Sequence, residues 1–103
     1  MKDSIETRTS LLIGSEGVER LTGSSVVIAG VGAVGGYVLE GLVRAGVGHI
    51  KVVDSDVFSE SNLNRQILAT RDTIGRKKAE VAAERARSIN PGIDIEVDRK
   101  SVV

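Results

Sequence analysis

The chain has 103 residues, and its 14 Lys plus Arg balance 14 Asp plus Glu, so no net field draws it to nucleic acid. It has no cysteine, which excludes disulfide and thiolate chemistry, and one Tyr and one Phe, Tyr37 and Phe58, both assigned to packing, are its whole aromatic complement. At this length it is at most one small domain; no apolar run reaches the ~20 residues needed to cross a bilayer, and Met1-Lys2-Asp3-Ser4 precedes no apolar signal core, so a cytoplasmic protein with no membrane partner is expected.

Ile5, Leu11, Leu12 and Ile13 predict a short amphipathic helix around residues 4–12, ended by Gly14. Ser15 opens a second one, with Val18 and Leu21 apolar and Gly23 as its stop; residues 1–24 are thus a helical segment ahead of the domain proper. The β-branched run from Ser25 predicts a strand to about residue 30. A helix over 33–45 follows, with Val34, Val38, Leu42 and Ala45 on one face. Gly36 and Gly41 weaken that helix by ~1 kcal/mol each relative to Ala, and close packing on the sheet is the reason assigned to them. Gly46-Val47-Gly48 ends it, and a second strand covers about 49–54. Residues 55–74 read as loop with one helical turn near 61–66. A helix over 75–89 carries Ala79, Ala82, Ala83, Ala86 and Ile89 along one stripe, and Asn90-Pro91-Gly92 stops it. Ile93, Ile95 and Val97 alternate with acids as a third strand.

Strand, helix, strand, helix, strand implies an α/β fold with a parallel sheet and right-handed crossovers. Three strands over residues 25–103 make the N-terminal half of a Rossmann-like doubly wound sheet. The sequence is therefore expected to be a fragment, or the start of a longer protein, inactive by itself.

The chemistry concentrates between Val26 and Gln66. The first strand ends in Gly30-Val31-Gly32-Ala33-Val34-Gly35. In such a turn Gly30 permits the bend, Gly32 lets backbone N–H groups near a phosphate, and Gly35 lets the helix pack close to the sheet. The helix opening at Ala33 aims its free N–H groups and positive dipole end at the anion. Asp54, at the end of the second strand, suits ribose hydroxyls. Asn62, Arg65, Gln66 and Lys78 follow, in a stretch (60–90) where seven Lys and Arg outnumber four Asp and Glu. For Arg65, a phosphate clamp competes with a surface pair to Glu60; for Lys78, a phosphate contact competes with a wet helix face. His49 has no second ligand in view and carries no metal assignment.

The combination of Gly30-Val31-Gly32-Ala33-Val34-Gly35, Glu40, Arg44-Ala45-Gly46-Val47-Gly48, Asp54-Ser55-Asp56-Val57, Ser61-Asn62-Leu63-Asn64-Arg65-Gln66, Gly75-Arg76-Lys77-Lys78 and Ile89-Asn90-Pro91 resembles the ThiF/MoeB/HesA superfamily of E1-like adenylating enzymes, over about residues 8–97. The resemblance implies Mg2+-ATP as cofactor, transfer of AMP to a carboxylate and release of pyrophosphate. It implies Asp54 at the ribose, and Asn62, Arg65 and Lys78 at the phosphates with Gln66 nearby. It also implies a homodimer in which Arg8 reaches the neighbouring subunit's ATP. The family's metal-contacting Asp is expected beyond Val103. Arg8-Thr9-Ser10-Leu11-Leu12-Ile13-Gly14 and Asn64 before Arg65 look more like the tRNA threonylcarbamoyladenosine dehydratase branch, whose substrate is tRNA. A ubiquitin-like sulfur-carrier protein is the alternative substrate. An NAD(P)-dependent oxidoreductase shares the glycine turn and the acid, but gives Asn62 to Gln66 no task.

Overall fold

A computed structural model describes residues 3–100. The element order is α1 (Thr7–Thr22), β1 (Ser25–Ala29), α2 (Ala33–Ala45), β2 (His49–Val53), a 3-10 helix (Glu60–Asn64), α3 (Lys78–Ile89) and β3 (Asp94–Asp98). The sheet has the order β1-β2-β3 with both pairings parallel. This is the expected α/β, Rossmann-like half-sheet.

Helix α1 is broken where the sequence placed its stop. Gly14 takes φ 75° and ψ 172°, an extended left-handed conformation outside the helical region, so two helices meet at a kink. The first begins at Thr7 rather than residue 4, because Ser4 and Thr7 bond to each other as a turn. The second ends against the start of β2, where a Cβ on Gly48 would lie 1.9 Å from the Thr22 carbonyl oxygen.

Ile28, Ile50, Val52 and Ile95 project from one face of the sheet into the core with Leu39 and Val43 of α2 and the alanines Ala79, Ala82, Ala83 and Ala86 of α3. The alanine stripe predicted for α3 is the buried one; small side chains let the helix lie close to the strands. On the opposite face Ser25, Val27 and Ala29 are exposed, and the register partners His49 and Asp94 pair at 3.1 Å and Lys51 and Glu96 at 3.9 Å.

Helix α2 turns a different face inward from the one expected. Gly36, Leu39, Glu40 and Val43 are buried, whereas Val34 and Val38 are exposed, and so is Tyr37, assigned above to packing. The helix is apolar nearly all round, so periodicity alone does not choose a face. Contact at the glycines does. A Cβ at Gly36 would sit 3.2 Å from Ile67, so this glycine packs against the long loop rather than the sheet, and Gly41 packs against nothing within 4 Å.

A carboxylate is buried between the two helices. Glu40 accepts hydrogen bonds from Arg44 one turn on, at 3.0 Å, and from Arg85 of α3. The Arg85 hydrogen bond, with help from Arg44, holds the Glu40 carboxyl below its ordinary value of 4.5 against the opposing effect of burial. A carboxyl depressed in the folded state binds fewer protons there than in the unfolded chain. Its contribution is present above about pH 4.5 and is lost as pH falls through the lower folded value. Glu40→Gln should therefore cost about 1–2 kcal/mol near neutral pH, after discounting two half-exposed guanidiniums. It should also flatten the acid limb of stability, which urea melts between pH 3 and 7 would show. A variant as acid-sensitive as the parent would place the acid limb elsewhere.

Candidate nucleotide site

The glycine turn lies at the C-terminal edge of β1, beside the ends of β2 and β3, where open α/β sheets take ligands. Gly30 has φ 92°, a conformation that a side chain would strain. Its N–H bonds to the Val53 carbonyl at 2.8 Å, so the turn leaves the sheet only after one further rung. Gly35 is there for space: a Cβ on it would sit 1.7 Å from the Gly30 carbonyl oxygen. Helix α2 thus starts in contact with the turn. Gly32 is its N-cap and no side chain caps it; no acid lies in its first turn. The N–H groups of that turn and the positive end of the dipole are left for an anion.

Asp54 is buried and knits the rim together. Its Oδ2 accepts the Val31 N–H at 2.9 Å and its Oδ1 accepts the Asp56 N–H at 2.8 Å. The Asp56 carbonyl in turn accepts the Lys78 N–H at 2.9 Å. Three hydrogen bonds thereby connect the glycine turn to the first residue of α3, residues the sequence shows only as distant motifs. Each Asp54 oxygen keeps a second lone pair for a hydroxyl donor.

The loop between β2 and α3 is closed at its neck. Val57 and Lys77 form an antiparallel bridge, Phe58 N–H bonds to the Arg76 carbonyl at 3.0 Å, and Gly75 N–H to the Phe58 carbonyl at 2.8 Å. This pairing, with Gly75 at φ 85°, holds Arg76 and Lys77 out of helical geometry, so α3 starts at Lys78, three residues after the expected position. The turn expected near 61–66 is the 3-10 helix Glu60–Asn64, closed by Asn62, whose Oδ1 accepts the Ser59 N–H at 2.9 Å. The buried Asn62 amide keeps its NH2 without a partner among the described residues.

The loop carries Gln66 under the glycine turn. Gln66 is 7% exposed, and its Nε2 would be 3.6 Å from a Cβ on Gly32. Its Oε1 is the one buried side-chain polar atom without a partner among the described residues, and Nε2 also makes no bond. An unsatisfied buried amide costs about 1–3 kcal/mol. The Gln66 amide lies against the uncapped start of α2.

Lys78 is likewise 8% exposed, with no carboxylate or carbonyl at its ammonium among the described residues; Nζ lies 5.5 Å from the centroid of the Phe58 ring. Arg65 is exposed, and its guanidinium folds back onto the Ser61 carbonyl at 3.2 Å and the Asn64 side chain at 2.8 Å. The surface pair to Glu60 is made by Arg71 instead. Arg8 stands exposed on the first half of α1, and no hydrogen bond or ion pair among the described residues joins it to the turn.

The structure therefore brings Gly30, Gly32, Ala33, Gly35, Asp54 and Gln66 together and ties Lys78 to them through Asp56; Asn62 caps the 3-10 helix of the same loop, Arg65 is exposed beside it and Arg8 stands apart. Sequence reasoning missed the part Phe58 plays beneath Lys78; as the single Phe of the chain it offered no pattern to read.

The Cβ position of Gly32 meets nothing closer than the Gln66 amide, so the chain itself tolerates a small side chain there. Gly32→Val should fold, yet lose ATP binding at least tenfold, because its methyls occupy the approach to the N–H groups of α2. ATP titration by calorimetry with a thermal melt checks this; an affinity equal to the parent's would remove the phosphate from this turn.

The sequence profile of the ThiF family matches residues 6–103. The chain is 42% identical over 89 residues to the tRNA threonylcarbamoyladenosine dehydratase of Bacillus subtilis, covering 86% of this chain and 35% of that protein. It is 46% identical over 84 residues to the sulfur carrier protein adenylyltransferase of Thermus thermophilus, covering 82% and 31%. The crystal structure of Escherichia coli tRNA N6-threonylcarbamoyladenosine dehydratase in complex with ATP superimposes with a TM-score of 0.89 at 38% identity, over 91% of this chain and 39% of that one. The chain thus spans about a third of the length of these relatives.

Proposed function

This chain belongs to the ThiF family, and from that premise we propose that the whole protein adenylates a carboxylate with ATP. A carboxylate oxygen attacks the α-phosphorus, the bond from that phosphorus to the β-bridging oxygen breaks, and pyrophosphate leaves with the electron pair. The observation that carries the reading is the juxtaposition of an uncapped helix start with the buried, unpartnered Oε1 of Gln66, in a rim joined through Asp54 and Asp56 to Lys78, whose ammonium meets no carboxylate among the described residues. In this reading a triphosphate on the glycine turn meets both side chains.

In this reading Gly30, Gly32, Ala33 and Gly35 form the phosphate turn, Asp54 meets the ribose, and Asn62 and Gln66 donate to phosphate oxygens. Lys78, and Arg65 after it swings off Ser61, meet the charge that builds on the leaving phosphates; fixed cations there favour the transition state over the ground state. Mg2+ would accompany the triphosphate and neutralise part of the charge on the leaving phosphates. The protein acts as a cytoplasmic homodimer, with Arg8 lent to the partner's nucleotide.

A threonylcarbamoyl-adenosine in tRNA is the proposed substrate, supported by 42% identity to the B. subtilis dehydratase. The 46% identity to the Thermus protein supports the second reading, a ubiquitin-like sulfur-carrier C-terminus. ATP–pyrophosphate exchange on the full-length protein tests the proposal. Exchange that appears with modified tRNA and not with a sulfur carrier fits the first substrate, and the reverse fits the second. NAD binding in place of ATP, with no exchange, would sink adenylation altogether.

A further inference from the structure

We propose that Phe58 is a positioning residue for the nucleotide site, its ring face holding the Lys78 ammonium where phosphate oxygens can reach it. The inference rests on the reading of Lys78 as a phosphate contact.

Phe58 is 1% exposed and Lys78 8%, and the ring centroid lies 5.5 Å from Nζ. That is within the range in which a cation is attracted to the negative face of an aromatic ring. No carboxylate neutralises this ammonium among the described residues, so the ring is the electrostatic partner the fold supplies. A carboxylate would cancel the charge an anionic ligand needs; a ring face steadies the cation and leaves the charge intact. Their main chains are held side by side. They occupy facing sides of the loop neck, fixed by the Val57–Lys77 bridge and by the bonds Phe58 N–H to Arg76 and Lys78 N–H to Asp56. The segment that closes this neck also carries Asn62, Arg65 and Gln66, so ring, cation and loop form one unit.

A lysine that is ordered before its ligand arrives spares the ordering cost on binding. Fluorinated phenylalanines can be placed at position 58 alone by site-specific incorporation. Stepwise fluorination drains the ring's negative face while almost keeping its volume, which separates the electrostatic role from packing. The probe is inorganic tripolyphosphate, titrated by calorimetry against the full-length protein carrying Phe, mono-, di- and trifluoro-Phe at position 58, with thermal melts alongside.

The expected result is a stepwise loss of affinity totalling roughly two- to tenfold, the range set by freeing one long side chain. Melting midpoints should stay level, and Lys78→Met should bind weakly with no dependence on fluorination. Flat or tightening affinity across the series, with Lys78→Met still weak, overturns the role of Phe58 and leaves the phosphate reading standing. A Lys78→Met variant that binds as the parent does, or a parent that does not bind tripolyphosphate, overturns both.

Discussion

Lys78→Met should lower ATP–pyrophosphate exchange of the full-length protein by about 100- to 1,000-fold, the usual loss when one fixed transition-state contact is removed. It should do so without lowering stability. Lys78 is 8% exposed as a residue, its ammonium makes no ion pair among the described residues, and it lies over the Phe58 ring. Trading it for a thioether of similar length removes an unpaired charge and keeps the apolar contacts of the buried stem, so stability should hold. Most core substitutions confound activity with folding; this one separates them. Arg65 is a blunter probe, because its guanidinium must first leave Ser61 and Asn64. Exchange within a factor of a few of the parent would mean that Lys78 is a packing residue and that the charge on pyrophosphate is met elsewhere. A variant that loses exchange and melts lower by many degrees would mean that the cation supports the fold through a partner not seen here.

What the sequence revealed follows from how local each constraint is. The bounds of α2 were legible because both ends are fixed by glycines whose backbone tasks are local: the turn through Gly30 and the left-handed C-cap at Gly46 with φ 98°. The break in α1 at Gly14 and the alanine stripe of α3 were legible for the same reason. The inward face of α2 was not, since an apolar helix offers several equal stripes and contacts from 31 residues away, Ile67 on Gly36, decide among them. The start of α3 was displaced by a bridge between residues twenty apart, which no local pattern announces. In the site, the residue types were readable and their neighbours were not. Asp54 stood out as an acid after a strand, but its grip on the Val31 and Asp56 amides, and through Asp56 on Lys78, depends on the closed neck. Glu40 and Arg85 sit 45 positions apart as two ordinary charges until the helices meet.

The same substitution made twice in α2 should act with opposite sign. Gly35→Ala puts a methyl 1.7 Å from the Gly30 carbonyl oxygen and 2.7 Å from its carbon, both backbone atoms that no rotamer change can clear. Either α2 lifts off the turn or the turn opens, and each option breaks the Val31 to Asp54 bond that ties β1 to β2. Overpacking costs about 1–3 kcal/mol where side chains can yield, so a backbone collision belongs at ~3 kcal/mol or beyond. That is a large part of the ~5–15 kcal/mol available to an ordinary domain, and the turn that would receive phosphate is lost with it. Gly41→Ala, six residues further along, meets nothing within 4 Å and lies at an exposed position inside regular helix. There the methyl costs nothing in space and removes backbone freedom from the unfolded chain, so stability should rise by about 0.5–1 kcal/mol. Urea melts of the two variants beside the parent measure both effects within one helix. Equal shifts of the same sign would mean that helix propensity governs both positions and that α2 does not rest on the Gly30 carbonyl. A collapse confined to Gly35→Ala, with Gly41→Ala gaining, would locate the close approach of helix and turn on which the proposed phosphate-binding geometry depends.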